Sequence, residues 1–195
     1  MGSLASKLAA RLLSVGTAVV FSNGLEWALH KYVLHDLGRD KRSFWSFHWH
    51  EHHRASRHHG FIDPDYQRGV VGWHAQGREA LGLLGVGIAM APFAPYAPWF
   101  VGTMVACGLR YYHLHKKSHL DPEWARTHLP WHYDHHMGPN QNANWCVTNP
   151  WFDDWLGTRV PYVGTESEAR DVARRQRRAE TKKRSRVPVD QPHLA

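Results

Sequence analysis

"ALGLLGVGIAMAPFAPYAPWFVGTMVACGL", residues 80–109, carries no charged side chain over 30 consecutive positions. An uncharged apolar run beyond ~18 residues is the pattern of a membrane segment. Pro92, Pro95 and Pro98 interrupt it. Proline inside a helix removes a backbone donor and clashes with the preceding turn. A single straight span would leave those groups unsatisfied in hydrocarbon. The run therefore predicts a hairpin: one helix up to Ala91, a Pro-rich turn, and a second helix from about Trp99. That second helix can continue through "RYYHLHKKSH", residues 110–119, because no Gly or Pro intervenes before Pro122. A soluble helical core is the competing reading, since Gly and Ala are frequent and each arm is short.

Upstream, "LAARLLSVGTAVVFSNGLEWAL", residues 8–29, is mostly apolar. No small-residue cleavage site follows, and the run passes straight into histidines, so it is read as a retained helix. Its uncharged part, Leu12 to Leu25, is short against the ~20 residues a bilayer core requires. Tilt, with snorkelling by Arg11, covers the difference. "MGSLAS" at residues 1–6 fits an acylation pattern that arises readily by chance.

The chain has 195 residues, 24 Lys and Arg against 17 Asp and Glu, and a net charge of +7. A basic balance points to an anionic partner. Beside two apolar segments, lipid headgroups are the economical choice, and nucleic acid is not expected. Lys and Arg concentrate in the polar segments, which the positive-inside rule places in the cytoplasm together with the C-terminus. Residues 1–165 read as one membrane-embedded domain. Residues 166–195, with "RRQRRAETKKRSR", read as a basic, solvated tail. The two cysteines, Cys107 and Cys146, form no CxxC pair and suggest no disulfide framework.

Histidine, at 17, outnumbers glycine, at 16. Ten histidines fall into four boxes: His30 and His35; His48, His52 and His53; His115 and His119; and His132, His135 and His136. In an α-helix, residues three or four apart share a face. His115 and His119 then point one way, and His132, His135 and His136 form one fan. His30 and His35 are five apart, roughly 140° around an α-helix, so they suit two metals better than one. In the second box His48 is favoured over His50, because His48 gives HxxxHH. His128, four before His132, is a further candidate on that face.

Imidazole suits zinc, copper, iron and nickel. A closed structural zinc site takes four ligands, and ten histidines exceed that. They suffice for two metals with about five nitrogens each. Metal-bound imidazoles usually donate their other N–H to a carboxylate or carbonyl. Glu26, four before His30, is the first candidate for that role, with Asp36, Glu51 and Asp134 behind it.

The order HxxxxH, HxxxHH, HxxxH, HxxHH resembles the fatty acid hydroxylase and sterol desaturase superfamily of membrane histidine-box enzymes. "EWALHKYVLH" is similar to the first box of carotenoid hydroxylases. "NANWCVTNPWFDDWLGT", residues 142–158, resembles the segment after the last box in fatty acid hydroxylase relatives. The resemblance covers about residues 24–159. It implies an all-α fold, a small integral membrane helical bundle with a cytosolic histidine-rich di-metal cap. It implies two iron ions, for which zinc can substitute on purification, with O2 as co-substrate. It implies a membrane lipid or lipid-like substrate that is hydroxylated or desaturated. The ten box histidines become the ligands, and Asn142 and Asn144 orient the last box. No His-Pro-Gly-Gly haem segment occurs. Electrons would therefore come from an external donor, such as a ferredoxin or a cytochrome with its reductase. The rival readings are a His-rich metal-binding or transport membrane protein and a zinc-dependent hydrolase.

Overall fold

The structure, a computed structural model, describes residues 3–184. Gly2 of the acylation pattern, residues 185–195 of the basic tail and His193 lie outside the described residues. Every regular element among the described residues is helical.

Helix α1 (Leu4–Ala28) begins at Ser3, whose side chain accepts from the Ser6 N–H. It runs without a break into a π-helix (Leu29–Asp36) and a 3-10 turn (Leu37–Arg39). A second π-helix (His48–His52) leads into α2 (His53–His58). After a 3-10 turn (Pro64–Gln67), α3 spans Ala75–Met90. His74 is buried and caps α3 through its ring nitrogen. Helix α4 spans Pro98–Leu120, α5 Pro122–His128, α6 Pro130–Met137 and α7 Trp151–Trp155. Pro98, Pro122 and Pro130 each occupy the first position of a helix. There the missing N–H costs nothing and the fixed φ favours the first turn. The hairpin read from residues 80–109 is present, with α3 ending at Met90 and α4 starting at Pro98.

One helical stretch among the described residues, Leu4–Arg39, is long and apolar enough to cross a membrane. Only 6% of its most apolar 18-residue window is buried. Helix α3 has 16 residues, shorter than a full span on its own. Leu84 and Ile88 on α3 and Leu109 on α4 are likewise exposed.

Helix α1 packs chiefly on α4 and also meets α7. Gly24 permits the second contact: a Cβ there would stand 2.6 Å from the Phe152 ring. Trp27, Trp145 and Cys146 form a small apolar cluster, with Ala28 and Phe152 against it. These contacts fix residues 143–148 against the end of α1.

The chain divides into two compact units after Pro161. The second contains α8 (Glu166–Arg184). Within it, buried Tyr162 donates its hydroxyl to Asp171, 3.2 Å away. Glu168 accepts from the Gly164 N–H at 2.8 Å.

Candidate metal centre

All ten box histidines are buried, none more than 2% exposed. Neutral histidine is seldom covered so completely without a partner. The rings assemble into two groups. His30, His35, His48, His53 and His135 bring one ring nitrogen each within 4.8 Å of one another, and so do His52, His115, His119 and His136. His132 joins the second group, with Nε2 3.1 Å from His119 Nε2. The groups adjoin, since the rings of His53 and His136 stack at 4.2 Å between centroids.

The division differs in two places from the α-helical expectation. His30 and His35 were expected to serve different centres, but both fall in the first group. Their segment is a π-helix, in which the i→i+5 bond replaces i→i+4. Residues five apart then share a face. The fan on α6 also splits: His135 joins the first group, while His132 and His136 join the second. Helix α6 lies between the groups and serves both.

The ring nitrogens face one another at close range. His30 Nδ1 donates to the Trp145 carbonyl and His135 Nδ1 to the Ala143 carbonyl at 2.6 Å. His119 Nδ1 donates to the Phe61 carbonyl at 2.8 Å. Each of these rings carries its proton on Nδ1 and presents a bare lone pair at Nε2. Yet His30 Nε2 lies 2.9 Å from His48 Nε2, and His135 Nε2 3.1 Å from both His35 Nε2 and His53 Nε2. A bare Nε2 facing another ring nitrogen is satisfied by an N–H from that ring or by a cation held between the two. Neutral imidazole is the form that binds a metal. Burial, aided by the neighbouring imidazoles, holds His48, His53, His132 and His136 well below their ordinary range. Burial likewise lowers His135 to about 3. Two nitrogens bound ~2.1 Å from one ion at right angles would be ~3 Å apart, the spacing observed. His52 Nε2 and both nitrogens of His136 are buried without a hydrogen-bond partner. The residues present fit metal ions, and the buried histidine clusters could hold two.

The groups that orient the ligands are partly those expected. Glu26 does not touch His30. It accepts from the Val147 and Thr148 N–H groups and from the Thr148 hydroxyl. Asp153 accepts from the Trp145 and Cys146 N–H groups at 2.9 and 2.8 Å. The two carboxylates hold the loop whose carbonyl takes the His30 proton. Asn144 sits in the left-handed region, φ 60°, which Asn tolerates. Its amide bonds both polar groups of Val160, at 2.7 and 2.9 Å, between the two ligand-orienting carbonyls of Ala143 and Trp145. Asn142 is exposed and accepts from Arg39. Asp134 is buried and paired with Arg159 at 2.7 Å. Asp36 is exposed, and Glu51 pairs with Arg78.

His50 and His128 stand outside both groups. His50 Nε2 contacts the Arg39 carbonyl at 3.0 Å, while His48 lies inside. His128 is exposed and stacks on Trp124. The four-residue relation of His128 to His132 fails because α5 ends at His128 and Pro130 starts a new helix.

Two orienting carboxylates escaped the sequence reading. His52 Nδ1 donates to Asp63 at 2.6 Å, and His115 Nδ1 to Glu79. Tyr66 donates its hydroxyl to the other Glu79 oxygen at 2.6 Å. Glu79 did carry a signal, since it is the last charge before the uncharged run at 80–109. Asp63 carried none, because "FIDPDY" reads as an ordinary turn.

A cavity of about 700 Å³ lies between the Leu4–Arg39 helix, α3 and α4. Its wall is mostly apolar, with Leu25, Val33, Val86 and Met104 among the lining residues. His30 and Glu79 also line it, so it reaches the ligands of the first group and a carboxylate serving the second. Cys107 is half-buried on the same wall.

No protein-family model, curated protein or solved structure matches the chain.

Proposed function

We propose that this chain is an integral membrane di-iron oxygenase, of the kind the histidine boxes resemble. It would hydroxylate or desaturate an unactivated C–H bond of a lipid, using O2 and electrons from a separate ferredoxin- or cytochrome-type donor. The observation that carries the reading is the apolar cavity of about 700 Å³ whose wall includes His30. Its volume lies within the ~300–1,000 Å³ typical of small-molecule sites. Metal transport would leave an apolar pocket against a ligand histidine without a purpose.

His30, His35, His48, His53 and His135 would hold one iron, and His52, His115, His119, His132 and His136 the other. When bound, the two irons would supply the electron transfer and O2 reduction that breaking such a bond requires. The apolar wall would bind the lipid chain and exclude water from the reacting carbon. The carbonyls of Ala143 and Trp145 keep the Nδ1 protons of His135 and His30 in place, which fixes the tautomer that binds metal.

Membrane embedding is supported by the exposed apolar surface of the Leu4–Arg39 helix and of the α3–α4 hairpin. The basic polar segments, facing the cytoplasm, would suit an acidic electron donor.

The test is turnover. Iron-loaded protein in lipid vesicles, with a ferredoxin and its reductase, is given isotopically heavy O2. The lipids are then analysed by mass spectrometry. A lipid that gains one heavy oxygen, or loses two hydrogens, is expected. Unchanged lipids from iron-loaded protein that accepts electrons would contradict the reading.

A further inference from the structure

The two histidine groups differ in what stands behind their ligands. In the second group, His52 donates to the Asp63 carboxylate at 2.6 Å and His115 donates to Glu79. Both acids are nearly buried, 1% and 8% exposed. In the first group, among the described residues, the ring contacts are to carbonyls, an amide and other imidazoles rather than to a carboxylate. His30 and His135 donate to the neutral carbonyls of Trp145 and Ala143, and His53 Nδ1 lies 2.9 Å from the Gln141 amide. The nearby acids are engaged elsewhere. Glu26 and Asp153 accept from backbone N–H groups, and Asp134 pairs with Arg159.

A carboxylate behind an imidazole raises its basicity and adds negative charge near the cation, and losing such a partner typically weakens metal binding by about 10–100-fold. We infer that the two metal sites are inequivalent: the group of His52, His115, His119, His132 and His136 binds its ion more tightly, with Asp63 and Glu79 as its positioning residues. This inference rests on the di-metal reading above. It makes the first group the site that fills last and empties first. That group includes His30, which lines the cavity.

The full-length, metal-free protein in detergent is titrated with cobalt(II), followed by its visible absorption. Two steps separated by about tenfold or more are expected. Asp63→Asn should weaken the tight step by about 10–100-fold and leave the weak step in place. The substituted amide retains an oxygen to accept from the Asp65 N–H, as Asp63 does at 3.0 Å. Glu79→Gln, on a different element, should act on the same step, while Gln141→Ala should move only the weak one. Two equal sites in the wild-type chain would overturn the inference and leave the di-metal reading standing. So would an Asp63→Asn or Glu79→Gln protein in which the weak step moves and the tight one does not. Fewer than two cobalt ions bound by the wild-type chain would overturn the di-metal reading, and this inference with it.

Discussion

His48 and His53 lie five residues apart in sequence, yet their Nε2 atoms approach to 3.2 Å. The His53 N–H donates to the His48 carbonyl, an i→i+5 bond that widens the helix by a residue. His30 and His35 repeat the arrangement on the other π-helix. The two pairs meet face to face, His30 on His48 at 2.9 Å and His35 on His53 at 3.0 Å. His52, the residue before His53, is left pointing to the other group.

Adjacent residues should therefore govern different metals. His53→Ala should empty the first group and leave the second filled, and His52→Ala should do the reverse. Metal analysis of each variant should find one ion fewer than in the wild type. If both variants lost both ions, the groups would be one interdependent site.

Metal-free protein should lose stability in acid. An unfolded histidine takes a proton near its ordinary value of 6.5, whereas burial keeps His135 neutral down to about 3. Between those values the unfolded chain binds more protons, so stability rises with pH there and is lost as pH falls through that window. Each such histidine contributes a slope of about 1.4 kcal/mol per pH unit. His48, His53, His132 and His136 are lowered in the same direction, chiefly by burial, and steepen the loss. Thermal melts should be flat above pH ~7 and fall steeply below pH ~6. A melting temperature independent of pH down to ~5 would contradict the burial of neutral rings.

Glu26 should matter to the fold through the loop and not through His30 directly. Glu26→Ala would strip acceptors from the Val147 and Thr148 N–H groups. Leaving buried donors unpaired costs about 1–3 kcal/mol each. A melting-temperature drop of several degrees is expected, with Glu26→Gln recovering part of it because one acceptor oxygen remains. Equal melting of the Ala variant and the wild type would remove Glu26 from this role.

Gly85 lines the cavity, and a Cβ there meets nothing within 4 Å. Gly85→Leu should fill space and block long apolar ligands. It should also raise helix stability by as much as about 1 kcal/mol, since glycine is a poor helix former. Loss of lipid binding with unchanged metal content is the expected result, read by a fluorescent fatty acid. Undiminished binding would show that the lipid lies elsewhere.

The hairpin was legible in the sequence because three prolines and an uncharged run leave the backbone few choices. The ten burial sites were legible because histidine is rare enough for four boxes to stand out. The sorting of those ten was not, since nothing in "HKYVLH" or "HWHEHH" announces a π-helix. Angles drawn on an α-helix put His30 and His35 apart and His132 with His135. Glu26 was singled out as a partner for His30 by helical spacing, but its partners lie about 120 residues away. Asp63 depends on the chain folding back from the 3-10 turn at Pro64, a tertiary contact that no local pattern encodes.

A pair of redox-active irons held by ten histidines is what we propose. Protein produced with enriched iron, quantified for metal and measured by Mössbauer spectroscopy before and after O2, tests it directly. Two irons per chain are expected, both ferrous after anaerobic reduction, and both changed on exposure to O2. A single zinc per chain, with no response to O2, would contradict it.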